Sequence, residues 1–158
     1  VKGVFHEINE DFKNQLDVND AYIEMISQKT GKLIQFSSEC LLGPSNVDHA
    51  TKSFLSDALM NFACAYQISD DFNDQNLNNA GSDISNNRPN IFTLLEADNG
   101  ESQTEVIAVL QKSFLKKANK SLALVPTPLS SAILEVLSPY VSFSKEGNFM
   151  KIGELLIK

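Results

Sequence analysis

One stretch near the middle of the chain limits the fold more than any other. Residues 58–68 read ALMNFACAYQI, and apolar side chains surround nearly the whole circumference of the helix that this pattern predicts. A helix of this kind is stable only when other helices cover it, which is typical of the centre of an all-α domain. The 158 residues can supply those helices within one unit. We therefore expect residues 1–158 to form a single all-α domain or half-domain.

Helical periodicity continues on both sides of this segment, and no stretch shows the alternation of a β-strand. Apart from the central helix, we predict helices over residues 5–16, 22–42, 91–95, 102–124, 129–137 and 140–157. Residues 75–90 differ, because asparagine dominates there and Gly81 and Pro89 interrupt any helix. This composition indicates a polar loop.

The helix that precedes the central one has a clear apolar pattern and a clear end. Gly43 and Pro44 are typical of a helix terminus, since proline cannot continue the helix. Ser45 or Asn46 is predicted to cap the central helix that follows. The inner face predicted from helical spacing consists of Tyr22, Ile26, Thr30, Leu33, Ser37, Cys40 and Leu41.

Charge and cysteine content exclude several classes of function. The net charge is −7, and the basic stripe that nucleic-acid binding requires is missing. Cys40 and Cys64 are too few and too far apart for a zinc site, so we expect buried free thiols. Because free thiols are typical of a reducing compartment and no apolar stretch approaches about 20 residues, we expect a cytoplasmic protein.

The residues that end the central helix are the strongest candidates for chemistry. Asp70, Asp71 and Asp74 have the spacing D-D-x-x-D, and Gln67 lies one helical turn before the first two. Their repulsion, at the end of a helix whose dipole disfavours anions, calls for a compensating cation. Mg²⁺ bound by carboxylates, water and substrate phosphates would supply it. Spacing alone favours the alternative of a solvated acidic helix end.

Three segments resemble one family, in the same order. Residues 65–74, AYQISDDFND, resemble the second aspartate-rich motif of the trans-polyprenyl diphosphate synthases. Residues 26–33, ISQKTGKL, resemble the Lys-Thr helix of that family. The sequence GSDI at 81–84, followed by RPN at 88–90, resembles its Gly-x-Asp loop. The resemblance implies an isoprenoid-synthase-like helical bundle, of which this chain would be the C-terminal half.

The resemblance also implies an activity and a cofactor. The implied enzyme is a Mg²⁺-dependent prenyltransferase that ionises an allylic diphosphate and condenses it with isopentenyl diphosphate. Asp70, Asp71 and Asp74 would bind the metal ion.

The remaining site residues come from the other two segments and from Gln67, which with Tyr66 resembles the aromatic-Gln pair that precedes D-D-x-x-D in the family. Lys29 and Arg88 would bind the substrate diphosphate, with Arg88 at the position of a family lysine. Lys29, Thr30 and Gln67 would be catalytic, and Thr30 and Gln67 would steady the forming cation or orient a ligand.

The sequence also departs from the family pattern. It contains no second D-D-x-x-D motif, and it begins inside a predicted helix at Val1. We therefore expect a fragment, or one chain of a split enzyme, that is active with an N-terminal half carrying the first motif and that forms a dimer. A peptide-modifying prenyltransferase of the same family, a non-catalytic regulatory or scaffold subunit, and a helical binding domain with a chance acidic patch remain alternatives.

Overall fold

The computed structural model describes residues 18–76 and 103–137, and every regular element in these ranges is helical. This confirms the predicted all-α fold. The predicted helices over 5–16, 91–95 and 140–157 lie outside the described residues. The described elements are α1 (Val18–Ile26), a π-helical turn (Ser27–Gly31), α2 (Lys32–Leu42), α3 (His49–Asn76), α4 (Gln103–Leu122) and α5 (Thr127–Leu137).

Helix α3 is the central element, as its apolar circumference predicts. Ile68 near its end packs with Ile107 near the start of α4, whereas Ala58 packs with Leu122 at the end of α4. The two helices therefore run antiparallel along most of their length. The core on this side of α3 also includes α1 residues and is formed by Tyr22, Met25, Ile26, Cys64, Ala65, Ile68, Phe72, Ile107, Ala108, Phe114 and Leu115.

A second, smaller core lies at the other end of α3. Leu55 and Ala58 pack there against Leu122 and Val125, and α5 covers them with Leu129, Ile133 and Leu134. Burial of these side chains holds α5 against the pair formed by α3 and α4. In the part of the chain that the structure describes, no helix combines the length and the apolar character that spanning a membrane requires.

The first turn of α3 is capped by Asp48, and not by Ser45 or Asn46 as the sequence suggested. Thr51 donates to Asp48 from its backbone N (3.0 Å to Oδ1) and from its hydroxyl (2.6 Å to Oδ2). The Ser45 hydroxyl instead donates to the carbonyl of Leu42, the last residue of α2, at 2.7 Å. Because Ser45 closes the preceding helix, the next helix begins after Asp48.

The inner face predicted for the helix over residues 22–42 is correct only as far as the π-helical turn. Leu33 and Leu41 are 61% and 78% exposed, and Cys40 is exposed as well, so the prediction of two buried thiols holds only for Cys64. The π-helical turn has about one residue more per turn than an α-helix, and this shifts the register of every later residue. Gly31 and Ser38 are buried instead.

Candidate active site

The π-helical turn brings the predicted Lys-Thr pair against the centre of α3. Such turns are rare inside helices and frequently occur at functional sites. Gly31, its last residue, packs so closely that a Cβ atom there would lie 2.8 Å from Cys64 Sγ and 3.3 Å from Met60 Cγ. The absence of a side chain at Gly31 allows this approach, which carries Thr30 to the same helix.

Three hydrogen bonds join α1, the π-helical turn and α3. Thr30 Oγ1 donates to Gln67 Oε1 at 2.7 Å, and Gln67 Nε2 donates to Asp71 Oδ1 at 2.8 Å. The Tyr22 hydroxyl donates to the other carboxylate oxygen, Asp71 Oδ2, at 2.6 Å. Both oxygens of Asp71 are therefore engaged by donors from the protein itself. We call these residues, Tyr22, Thr30, Gln67 and Asp71, the tyrosine–aspartate network.

Burial dominates the electrostatics of the network. The Asp71 side chain is 5% exposed, and this desolvation raises its pKa to about 6. The hydrogen bonds from Tyr22 and Gln67 and the positive charge of Lys29 oppose the rise in pKa, whereas the charge of Asp70 adds to it. Burial and the neighbouring Asp71 carboxyl also raise the pKa of Tyr22 well above its ordinary value. The Tyr22 phenol therefore keeps its proton and remains a hydrogen-bond donor.

The aspartates of the D-D-x-x-D motif differ in environment. Asp70 is exposed, whereas its neighbour Asp71 is buried. The backbone of Asp74 lies in α3 one turn beyond Asp70, but the side chain of Asp74 lies outside the described residues. Asp70 and Asp71 are therefore not equivalent, although the spacing treats them alike.

This difference determines how the described residues fit a metal ion. Among the side chains that the structure describes, no group of three or more His, Cys, Asp or Glu residues could hold one. Asp70 offers an exposed carboxylate at a helix end, and Mg²⁺ needs only one or two carboxylates when phosphates and water supply the other ligands. The donor set therefore fits an open, phosphate-sharing magnesium site and does not form a closed protein cage.

A buried glutamine supports the site from behind. Gln111 of α4 is 1% exposed, and its Nε2 donates to Ser69 Oγ and to the backbone carbonyl of Ala65, the latter at 3.3 Å. These contacts fix the turn of α3 that carries Gln67. Sequence reasoning missed Gln111; the signal was a glutamine placed among the apolar residues of an amphipathic helix.

The structure brings together some of the predicted site residues. Thr30, Gln67 and Asp71 lie in one network, and the charge of half-buried Lys29 acts on Asp71. Arg88 lies outside the described residues. Tyr22 is in the network but was predicted only as part of an apolar face, because a tyrosine at helical spacing gives no signal for its hydroxyl.

Comparison with protein families assigns the chain. The family model for polyprenyl synthetase matches residues 1–125. The chain therefore belongs to the polyprenyl synthetase family, a family of prenyltransferases, and has its all-α isoprenoid-synthase fold. The comparisons with curated proteins and with solved structures gave no match.

Proposed function

We propose that this chain supplies the second aspartate-rich part of the active site of a Mg²⁺-dependent polyprenyl diphosphate synthase. The reaction ionises an allylic diphosphate and condenses the allylic cation with isopentenyl diphosphate. The tyrosine–aspartate network carries this proposal. In a chain of the polyprenyl synthetase family, it joins the Lys-Thr turn to the aspartate motif, and Thr30 and Gln67 are 37 positions apart in the sequence.

The charged residues have distinct roles in this proposal. The family resemblance assigns Mg²⁺ to Asp70, Asp71 and Asp74, and we propose direct binding by Asp70 and Asp74. Lys29 and Arg88 bind the substrate diphosphate through their positive charges. Bound Mg²⁺ stabilises the negative charge of the departing diphosphate.

Thr30 and Gln67 act on the opposite charge. Their side-chain oxygens carry partial negative charge, which stabilises an allylic cation without forming a covalent bond to it. Gln67 is buried, and Thr30 is half-buried, so their dipoles are held by the fold and reorganise little during the reaction. Burial also limits the access of water, which would quench the cation.

We further propose that the active assembly contains more than this chain. The sequence has one D-D-x-x-D motif, and the proposed reaction uses a second, facing one, which an N-terminal half would carry. Leu33, Phe36 and Leu41 of α2 expose apolar side chains, which supports pairing with a second copy in a dimer. To test for a second polypeptide, the assembly is purified in its native state and its components are then identified by denaturing mass spectrometry.

Binding of magnesium pyrophosphate is the direct test of the site. We expect Mg²⁺ and pyrophosphate together to raise the melting temperature of the wild-type chain, and either one alone to have little effect. Asp70→Asn should weaken the combined binding at least about tenfold, because it removes a proposed metal ligand. The matched control is Asp57→Asn, an exposed aspartate on the same helix, and it should bind like the wild type.

Measurement of prenyl transfer by the native assembly then distinguishes the enzymatic role from the scaffold subunit and from the peptide-modifying enzyme. Loss of transfer in Asp70→Asn, with the helical circular dichroism retained, supports the enzymatic role. Unchanged transfer in Asp70→Asn would refute it and favour a scaffold subunit. Transfer to a peptide in preference to isopentenyl diphosphate would replace the proposed acceptor.

A further inference from the structure

We propose that Tyr22 is a positioning residue, which acts through Asp71 to fix the orientation of Gln67 and the hydrogen-bonding direction of Thr30. This inference rests on the proposed function, and it assigns Asp71 a role other than direct metal binding. The observation behind it is that one carboxylate oxygen of Asp71 accepts a hydrogen bond from Tyr22 and the other accepts one from Gln67.

The order of donors along the network leaves Gln67 a single orientation. A carboxylate that receives two hydrogen bonds acts only as an acceptor, so the side chain of Gln67 must present its NH₂ group to Asp71. The amide oxygen then faces Thr30, whose hydroxyl must donate to it. Because the proton of Thr30 is used in this bond, the Thr30 oxygen can only accept from, or interact electrostatically with, any further group.

The direction of these hydrogen bonds leaves the Thr30 oxygen suited to stabilise a cation, and we infer that this direction depends on Tyr22. An oxygen with its lone pairs available stabilises a neighbouring positive charge, whereas a hydroxyl turned the other way would present its proton. Tyr22 is completely buried, comes from a different helix and lies 49 positions before Asp71 in the sequence. The hydrogen bond from Tyr22 therefore prevents rotation of the Asp71 carboxylate. It thereby holds the other two hydrogen bonds of the network, from Gln67 to Asp71 and from Thr30 to Gln67.

Tyr22→Phe tests this role with a minimal change, since the ring remains in the core and only the hydroxyl is lost. In the native assembly, we expect kcat for prenyl transfer to fall about tenfold or more. KM for the allylic diphosphate and the calorimetric affinity for magnesium pyrophosphate should stay within about twofold of wild type. The matched control is Tyr66→Phe, which removes a phenol hydroxyl from half-exposed Tyr66 on α3 and should leave all three quantities unchanged.

Thr30 provides a second test, in which the two single variants do not depend on how well Tyr22→Phe folds. Thr30→Ser keeps the hydroxyl and should retain most activity, whereas Thr30→Val should lower kcat to a similar extent as Tyr22→Phe. Because both changes act through one network, the double variant Tyr22→Phe/Thr30→Val should be little worse than either single variant.

Several results would overturn the inference. Equal kcat for Tyr22→Phe and Tyr66→Phe would remove the role of the Tyr22 hydroxyl. Multiplying losses in the double variant would show that Tyr22 and Thr30 act independently. A fall in affinity for magnesium pyrophosphate that matches the fall in kcat would make Asp71 a metal ligand. A wild-type assembly that neither binds magnesium pyrophosphate nor transfers prenyl groups would refute the proposed function itself, and this inference with it.

Discussion

The two ends of α3 place the same side chain in opposite environments. Asp48 lies at the start of the helix and Asp71 near its end, about 35 Å apart along the axis. Each accepts a hydrogen bond from a hydroxyl, of Thr51 in one case and of Tyr22 in the other. Yet the hydrogen bonds with Thr51 lower the pKa of Asp48, whereas burial raises the pKa of Asp71 to about 6.

The comparison shows what separates a structural carboxylate from a candidate functional one. Asp48 satisfies unpaired N–H groups at the positive end of the helix dipole and remains exposed to water, so its charge favours folding. Asp71 carries its charge into the core near the negative end, where an apolar side chain would cost less. A buried carboxylate that opposes folding is the one for which a functional reason is needed.

The largest expected effect is on the pH dependence of the unfolding free energy, which should distinguish Asp71 from Asp48. The pKa of Asp71 is about 6 in the folded chain, against an ordinary value of 3.8. Between these values the folded state binds more protons than the unfolded state, so rising pH lowers stability. Relative to Asp71→Asn, the wild type should lose roughly 2 to 3 kcal/mol of unfolding free energy between pH 4 and pH 7. Urea denaturation in metal-free buffer measures this difference.

The control for this profile is Asp57→Asn, which changes an exposed aspartate of the same helix. Its profile should run parallel to that of the wild type. If Asp71→Asn also ran parallel, the Asp71 carboxyl would not be desolvated in the folded chain, and the contrast with Asp48 would disappear.

The second prediction concerns the packing that holds the π-helical turn against the centre of α3. Gly31→Ala would place a methyl carbon 2.8 Å from Cys64 Sγ, which is closer than van der Waals contact. We expect a loss of about 2 kcal/mol of unfolding free energy from this overpacking. Cys64→Ala removes the opposing sulfur, so the double variant should be more stable than the sum of the two single changes predicts. Additive losses would indicate that Gly31 is not in contact with Cys64.

The sequence predicted the parts of this molecule that depend on local pattern. The apolar segment 58–68 indicated a central helix, and Gly43 with Pro44 indicated the end of α2, both of which the structure has. Helical spacing also placed Gln67 one turn from Asp71, where the two side chains are hydrogen bonded.

The errors have specific physical causes. Periodicity assumes 3.6 residues per turn, so it could not anticipate the turn Ser27–Gly31, which moves Cys40 and its neighbours out of the core. Ser45, Asn46 and Asp48 are all residues that cap helices, and only the tertiary path of the chain selects Asp48. The partnership of Tyr22 with Asp71 joins distant segments, and no local pattern contains it.

A smaller effect is expected at the Asp48 end, with the opposite dependence on pH. Asp48→Ala removes the cap of α3 and should lower the melting temperature at pH 7. The pKa of Asp48 is below its ordinary value of 3.8 in the folded chain. Its contribution is therefore complete above that value and is lost as the pH falls through the lower pKa of the folded state. Melting curves of wild type and Asp48→Ala should converge in acid, and Thr51→Val, which removes one of the two bonds, should give an intermediate difference.

The last prediction compares the reactivity of the two thiols, Cys40 and Cys64, and involves no change in stability. Cys40 lies on the exposed side of α2, which leads into the Asp48 end, whereas Cys64 is buried beneath the π-helical turn. Burial raises the pKa of Cys64 to about 11, so at pH 8 roughly one thiol in a thousand is ionised there. A thiol reagent should therefore modify Cys40 rapidly in the native chain and reach Cys64 only upon unfolding. Cys40→Ala should abolish the fast reaction, and rapid modification that persists in this variant would show that the turn opens readily and does not hold Thr30 firmly against α3.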